Sequence, residues 1–422
     1  MKLQKILKRI QKLHPKEIDL SLSRIKKLCK KLGNPQENLK CISVVGTNGK
    51  YSTIQALRAI FKQASINCNI YTSPHLQKIN ERFVFNDREI SDQNLSKLLN
   101  EVEEINNGDS ITYFEILTAA FFYNAKKFNN NINLIESGLF HRFDATNILK
   151  ENLASIVTSI GLDHLEWLPK NERSIKKIVT EKTSYLLNSK IIVSKQNSNE
   201  TLNIIKKSIL KNNSKKIIFS KNFTYSENEN GFIYYEDEFG KLKLPKPNIL
   251  GEFQIDNIAS AVATVRSLNF NIQNKNIKNG ITKIKSIGRL QEIKKGKIKN
   301  LCKNNKIFVD GSHNPLGAKA LKKYLNSLNC RKHVILGMML NKDHLEYAKY
   351  FKEKIDTITT IDIKNQQNSI RGYDLKNKLE GFNSVSYKKN LKEAINSIHL
   401  KKKDIILITG SLYLVGEVLN SN

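Results

Sequence analysis

The stretch CISVVGTNGKYST, Cys41 to Thr53, holds the residues best suited to chemistry. Gly46 and Gly49 frame Thr47 and Asn48, Lys50 follows, and hydroxyls stand at Ser52 and Thr53. An apolar run of Ile42, Val44 and Val45 leads in, so the pattern reads as a strand, a loop and the start of a helix. A helix start presents unpaired backbone N–H groups and a partial positive charge, which suits phosphate oxygens. In such a site the two glycines let the backbone wrap the phosphates. Lys50 then brings charge to the terminal ones, and Ser52 or Thr53 meets a magnesium ion. The strict GxxxxGK[ST] pattern is not satisfied, because Val44 stands at its first position and Tyr51 at its last. The alternative is a lysine-bearing surface turn capped by Asn48.

Such a loop needs a sheet to carry it. Strand-like runs (CISVV, NCNIYTS, NINLIES, LASIVTSI, KIIVSK) alternate with amphipathic segments such as TIQALRAIFKQA and ISDQNLSKLLNEVEEI. This alternation predicts a mainly parallel α/β sheet covered by helices. Over 211–247 the texture becomes short, alternating and turn-rich, which predicts a small antiparallel patch, and QIDNIASAVATVRSL returns to helix. A second alternation runs from KIFVDGSHNP through KHVILGMML, TITTIDI and NSVSY to DIILITGSLYLVGEVL. The boundary is placed at 285/286, giving a domain over 1–285 and a smaller one over 286–422.

The whole chain excludes several classes. With 422 residues and 40% hydrophobic side chains it has material for two cores. No apolar run approaches the ~20 residues needed to span a bilayer. The N-terminal MKLQKILKRIQKLH is basic but lacks the apolar core of a secretory signal; Leu3, Ile6, Leu7, Ile10 and Leu13 recur at helical spacing, so it predicts an amphipathic helix packed on the first domain. Five scattered cysteines form no CxxC pair, which points to a reducing, cytoplasmic setting rather than disulfides or zinc. A net charge of +31 prompts a nucleic-acid hypothesis, but the lysines are dispersed among Asn and Ile without a recognition motif. Compositional drift explains them, with some steering of anionic substrates.

Read in order, further motifs join the loop: IDLSLSRIKKLCKKLGNPQ, VVGTNGKYST, YTSPHLQKINERF, ITYFE, IESGLFHRFDATN, TSIGLDHLEWL, TEKTSYL, GEFQIDNIASA, GRLQEI, FVDGSHNP, LGMMLNKDH and ITGSLYLVGEV. Together they resemble the folylpolyglutamate synthase/dihydrofolate synthase family of murein-ligase-like enzymes over nearly the whole chain. The resemblance implies a P-loop-type N-terminal ATPase domain and a smaller Rossmann-like C-terminal domain. It also implies an ATP- and Mg²⁺-dependent ligase that joins L-glutamate to dihydropteroate, a reduced folate or both, through an acyl phosphate. The partners are then small molecules, with neither nucleic acid nor membrane, and a monomer is expected.

The family's functional residues carry over to positions of this chain. Gly46, Thr47, Asn48, Gly49, Lys50 and Ser52 would bind ATP, joined by Asn257, Arg289 and Asp310, with Gln254 assisting. Ser73, Glu136 and His164 would hold the metal; Glu136 follows Ile132, Leu134 and Ile135 and so belongs at a strand end, where such folds place ligands. Lys182 matches a lysine carbamylated by CO₂, and Asp310 and His313 approach the reacting phosphate. Arg82, Tyr113 and Phe114 would shape the pterin or pteroate pocket. Arg142, Asp144, Thr146 and Asn147 of RFDATN are closer to members that also accept dihydropteroate, so the first reading is a bifunctional enzyme.

Several positions break the family pattern. Tyr51 replaces a glycine after the loop lysine, and a positive φ there would strain it. Phe140 and His141 replace two glycines beside the proposed metal carboxylate. Thr183, Ser184 and Tyr185 replace Ala-Gly-Ile after Lys182, and Asn341 replaces an aspartate. These changes leave open a diverged or inactive nucleotide-binding homologue with an altered acceptor pocket.

Overall fold

The computed structural model describes residues 2–16, 18–302, 304–353, 355–382 and 384–422. They group into two compact units. The first comprises residues up to Ile160, Asn171–Asn248 and Asp256–Ile284; the second comprises Gly161–Lys170, Ile249–Ile255 and Lys285–Asn422. Two short segments expected in the first domain therefore group with the second. Their side chains explain this: Leu250 and Phe253 pack on the second unit's core, and Asp163 pairs with Lys342.

The first unit is built on eight strands: β1 (Cys41–Val45), β2 (Cys68–Tyr71), β3 (Phe83–Phe85), β4 (Arg88–Glu89), β5 (Ile132–Glu136), β6 (Ala154–Val157), β7 (Lys190–Val193) and β8 (Lys216–Ile218). Their order is β4-β3-β2-β5-β1-β6-β7-β8. The pairs β2–β3 and β3–β4 are antiparallel and the others parallel. The runs CISVV, INLIE and ASIV are buried at every residue, as expected for strands covered on both faces. From β1 the chain builds β2 and β5 on one side, then crosses to add β6, β7 and β8 on the other. That reversal makes the carboxyl ends of β1, β5 and β6 the place for a ligand.

The predicted antiparallel patch is smaller than its sequence texture suggests. Only β9 (Phe223–Glu227), β10 (Ile233–Asp237) and β11 (Gly240–Leu244) form it, whereas Lys216–Ile218 joins the main sheet parallel to β7. The apolar Ile217 and Ile218 are both buried there, so their run is the last strand of the main sheet.

Helices pack on this sheet. Thr112 caps Tyr113–Ala125 in a reciprocal box with Glu115, fixing where Tyr113 and Phe114 emerge. Along that helix Phe121 stacks on Tyr71 at 5.0 Å and on Phe85 at 5.4 Å. The N-terminal helix Lys2–Ile10 buries Leu3, Ile6, Leu7 and Ile10 in the same core, and Arg9 grips Glu103 of helix Asp92–Asn106. Its apolar face is occupied by protein.

The second unit carries β12 (Gln291–Glu292), β13 (Lys306–Asp310), β14 (Lys332–Leu336), β15 (Thr357–Ile361), β16 (Val385–Lys388) and β17 (Ile405–Thr409), ordered β12-β13-β17-β14-β15-β16. All pairs are parallel except β12–β13. Among the described residues no helix is long and apolar enough to cross a membrane.

Candidate active site

The loop after β1 enters helix Lys50–Gln63 through Gly49, whose φ is +93°, and leaves the strand through Gly46 at φ +146°. Both need glycine. A methyl group on Gly46 would overlap Thr158 Oγ1, and one on Gly49 would overlap Asn257 Oδ1. The loop is tied to the segment that follows β6, for Thr47 N and Asn48 N donate to Ser159 O at 3.0 and 3.1 Å. The Lys50 side chain folds back over the loop, donating to Gly46 O and Thr47 O at 3.3 and 3.2 Å. Tyr51 lies in the first helical turn without a positive φ, so it costs the loop no backbone strain.

Register brings the carboxylate to this loop. Val44 pairs with Glu136, so the ends of β1 and β5 lie abreast. Glu136 is 5% exposed; its Oε2 accepts from Ser73 N at 3.2 Å, and its Oε1 lies 3.9 Å from Lys50 Nζ. Lys50, Ser73, Glu136 and Asn257 thus gather around one loop in the first unit. Among the described residues no group of three or more His, Cys, Asp or Glu side chains is placed to hold a metal. A buried carboxylate beside a serine is nevertheless a hard-oxygen pair that suits magnesium, which completes its shell with water and phosphate.

Behind the carboxylate, Gly138–Thr146 fold on Asp144. Its carboxylate accepts from Gly138 N at 2.8 Å, Thr146 N at 3.0 Å and Thr146 Oγ1. Burial pushes the Asp144 carboxyl above its ordinary value, and these bonds and the Lys182 charge only partly offset that. Lys182 is 2% exposed, donates to Leu139 O at 2.7 Å and lies 5.7 Å from the Phe140 ring centre. Phe140 and His141 adopt no positive φ, so the family's glycines are not required by the backbone here. The buried His141 ring meets Ser137 Oγ through Nδ1 at 3.2 Å. Burial, with the Lys182 charge adding to it, pulls this imidazole down to about 3.

The residues expected at the acceptor pocket separate into two groups. Phe114 lies against Gly138 and stacks on Tyr71 at 6.0 Å, which puts it beside Asp144. Arg82 donates through Nε to His75 Nδ1 at 3.0 Å. Burial, with Arg82 acting in the same sense, lowers His75 to about 4; the Tyr113 hydroxyl is raised by burial against the pull of Arg82. Arg142 instead lies over the Phe143 and Tyr185 rings, at 4.6 and 4.8 Å, and 3.5 Å from Glu181. Tyr185, one of the departures from the family, therefore has a definite contact.

In the second unit, Asp310 ends β13 and accepts from Leu290 N and Ser312 N at 2.7 and 2.8 Å. Burial raises its carboxyl, while the Arg289 charge and those backbone donors act against the rise. His313 Nδ1 lies 2.9 Å from Gly311 O and its Nε2 3.5 Å from Asp163 Oδ2. His164, in left-handed conformation at φ +59°, places Nε2 3.8 Å from the same oxygen. Asn341, which replaces an aspartate, donates to Glu166 at 2.7 Å.

The glutamate-ligase domain model of the Mur ligases matches residues 288–412. A probable dihydrofolate synthetase of Schizosaccharomyces pombe is 28% identical over 419 residues, spanning 95% of this chain and 98% of that protein. The dihydrofolate synthase/folylpolyglutamate synthase of Escherichia coli is 27% identical over 419 residues, spanning 97% and 93%. The solved structure of E. coli FolC in complex with DHPP and ADP has a TM-score of 0.86 at 26% identity, covering 99% of this chain and 97% of that one. Over nearly its whole length the chain is thus similar to dihydrofolate synthase/folylpolyglutamate synthases, and residues 288–412 match the Mur ligase glutamate-ligase domain. The departures at Tyr51, Phe140 and His141 are accommodated in a fold similar to that of E. coli FolC.

The sequence alone gives no role to Asp163 or Lys342, which the fold joins at 2.7 Å. Both stand inside quoted motifs, GLDHLEW and LNKDH. The missing signal is their pairing across 179 residues, which no local pattern encodes.

Proposed function

We propose that the chain ligates L-glutamate to the carboxylate of dihydropteroate, of a reduced folate, or of both, with hydrolysis of ATP to ADP and phosphate overall. A carboxylate is a poor electrophile, so the γ-phosphoryl group first passes to it, giving an acyl phosphate and ADP. The glutamate amine then attacks the acyl carbon, loses a proton and expels phosphate. Negative charge gathers on the transferred phosphoryl group, so positioning and cations dominate catalysis.

The observation that carries this reading is the convergence of the Gly46–Lys50 loop with Glu136 and Ser73. The first-turn N–H groups of helix Lys50–Gln63 cradle phosphate, and Lys50 neutralises its terminal oxygens. Glu136 and Ser73, with His164 as the resemblance implies, would hold Mg²⁺, which would supply charge neutralisation at the phosphates. Asn257, packed at Gly49, and Arg289 with Asp310 contact the nucleotide, and His313 acts near the transferred phosphoryl. Phe114, Tyr113, Arg82 and Asp144 are assigned to the acceptor, and Arg142, which lies apart over Tyr185, is assigned to it on the resemblance alone. The similarity to dihydrofolate synthase/folylpolyglutamate synthases supports the overall reaction, and the ADP and DHPP of the E. coli relative support this pairing of nucleotide and acceptor.

Carbamylation of Lys182 belongs to the same reading. The amine gains CO₂ and releases a proton, a step open to its neutral form, and the side chain sits in a buried setting. We read the enzyme as a cytoplasmic monomer; free cysteines at 29, 41, 68, 302 and 330 support a reducing setting. The test is incubation with ATP, Mg²⁺, glutamate and either dihydropteroate or tetrahydrofolate, following ADP and glutamylated product. Turnover with at least one acceptor is expected; ADP formation with neither would refute the assignment.

A further inference from the structure

We propose that Asp163 is a positioning residue of this enzyme, holding His313 in its working orientation through a clamp that includes Asn314 and Lys342. The inference rests on the reading of His313 as a group near the transferred phosphoryl. Every residue of the clamp lies within the second unit.

Asp163 is 8% exposed, and its two oxygens divide their partners. Oδ1 accepts from Lys342 Nζ at 2.7 Å and from His164 N at 2.9 Å. Oδ2 accepts from Asn314 Nδ2 at 2.9 Å and lies 3.5 Å from His313 Nε2. A carboxylate buried this far is tolerated only when paired and hydrogen-bonded, and this one is. Burial alone would raise its carboxyl, yet His164, His313 and Lys342 together hold it well below the ordinary value.

The clamp fixes His313 from both ends. Asn314 caps helix Pro315–Asn326 by accepting from Gly317 N at 2.9 Å through Oδ1, which turns its amide toward Asp163. His313, one residue earlier, has Nδ1 on Gly311 O and Nε2 toward Asp163, so the ring cannot rotate without losing both. Lys342 arrives from the loop after β14 and anchors the opposite oxygen. The substitution Asp163→Asn would keep one acceptor oxygen but lose the charge that balances the Lys342 ammonium, whose side chain is only 11% exposed.

The experiment is a double-mutant cycle on the full-length chain, scored by steady-state ligation and by thermal unfolding. Asp163→Asn is expected to lower kcat 10- to 100-fold while KM for ATP stays within threefold. Asp163→Glu should recover part of the loss. In a His313→Ala background, Asp163→Asn should cost less than threefold further. Equal losses in both backgrounds would show that Asp163 does not act through His313, and unchanged kcat in Asp163→Asn would overturn the proposal directly. If Asp163→Asn fails to fold, Lys342→Met replaces it, with a 3- to 10-fold kcat loss expected that vanishes beside His313→Ala; persistence of that loss overturns the proposal. Wild-type turnover by His313→Ala alone would instead defeat the underlying reading of His313.

Discussion

Gly46→Ala tests the phosphate loop at its tightest point. The residue has φ +146°, and a new Cβ would overlap Thr158 Oγ1 and lie 3.2 Å from the Thr158 carbonyl carbon. Holding a non-glycine residue in such a backbone costs about 1–3 kcal/mol. Pushing Thr158 aside also endangers its 3.1 Å hydrogen bond to Val45 O, worth about 0.5–1.5 kcal/mol. The sum is about 1.5–4.5 kcal/mol, which the loop relieves most simply by moving away from the phosphates. Relieved that way, it weakens nucleotide binding roughly 10- to 2000-fold. Calorimetric titration with ADP and Mg²⁺ measures this. Gly33→Ala is the control: its φ is +74° with open space around it, so about 1–2 kcal/mol of stability is lost without change in ADP affinity. Thr158→Ala beside Gly46→Ala removes the overlapping oxygen and should return part of the affinity. A folded Gly46→Ala protein that binds ADP as tightly as wild type would refute the reasoning.

Other predictions concern the scaffold. His141 stays neutral in the fold down to about 3, whereas in the unfolded chain it takes a proton below 6.5. Stability is therefore lost as pH falls from 6.5 to 3, by about 5 kcal/mol over the whole span. His141→Gln should remove up to one proton from the pH slope of urea unfolding between pH 6 and 4; an unchanged slope would contradict this. Ile10→Ala, at a fully buried position of the N-terminal helix, should cost about 2–5 kcal/mol in urea unfolding. A negligible cost would place that helix outside the core. Asp237 accepts from Arg266 Nε at 3.1 and 2.9 Å and from Tyr235 OH at 3.0 Å, with both ionic side chains under 10% exposed. Asp237→Ala should destabilise the first unit by about 3–5 kcal/mol, because it strands a buried guanidinium; wild-type stability would show the pair to be dispensable.

Much of the scaffold was legible because its signals are local. The run CISVV before two glycines and a lysine is a strand ending in a phosphate loop, and the apolar spacing of Leu3, Ile6, Leu7 and Ile10 is a helix face. Glu136 was legible as a strand end for the same reason. What escaped depends on partners distant in sequence. Asp163 is defined by Asn314 and Lys342, and residues 161–170 and 249–255 group with the second unit through such contacts. Lys216–Ile218 was assigned to the antiparallel patch because three residues cannot show whether their neighbour runs parallel. The strain that a positive φ would bring at Tyr51 does not arise, since the positive φ values of this loop fall on Gly46 and Gly49.

The central claim is that Lys50 and Glu136 serve one ATP-driven ligation. Its most direct test compares wild type with Lys50→Ala in ADP release and glutamylated product at saturating ATP, Mg²⁺, glutamate and acceptor. The account predicts that a folded Lys50→Ala protein loses turnover at least 100-fold. Comparable product formation by that variant would contradict it.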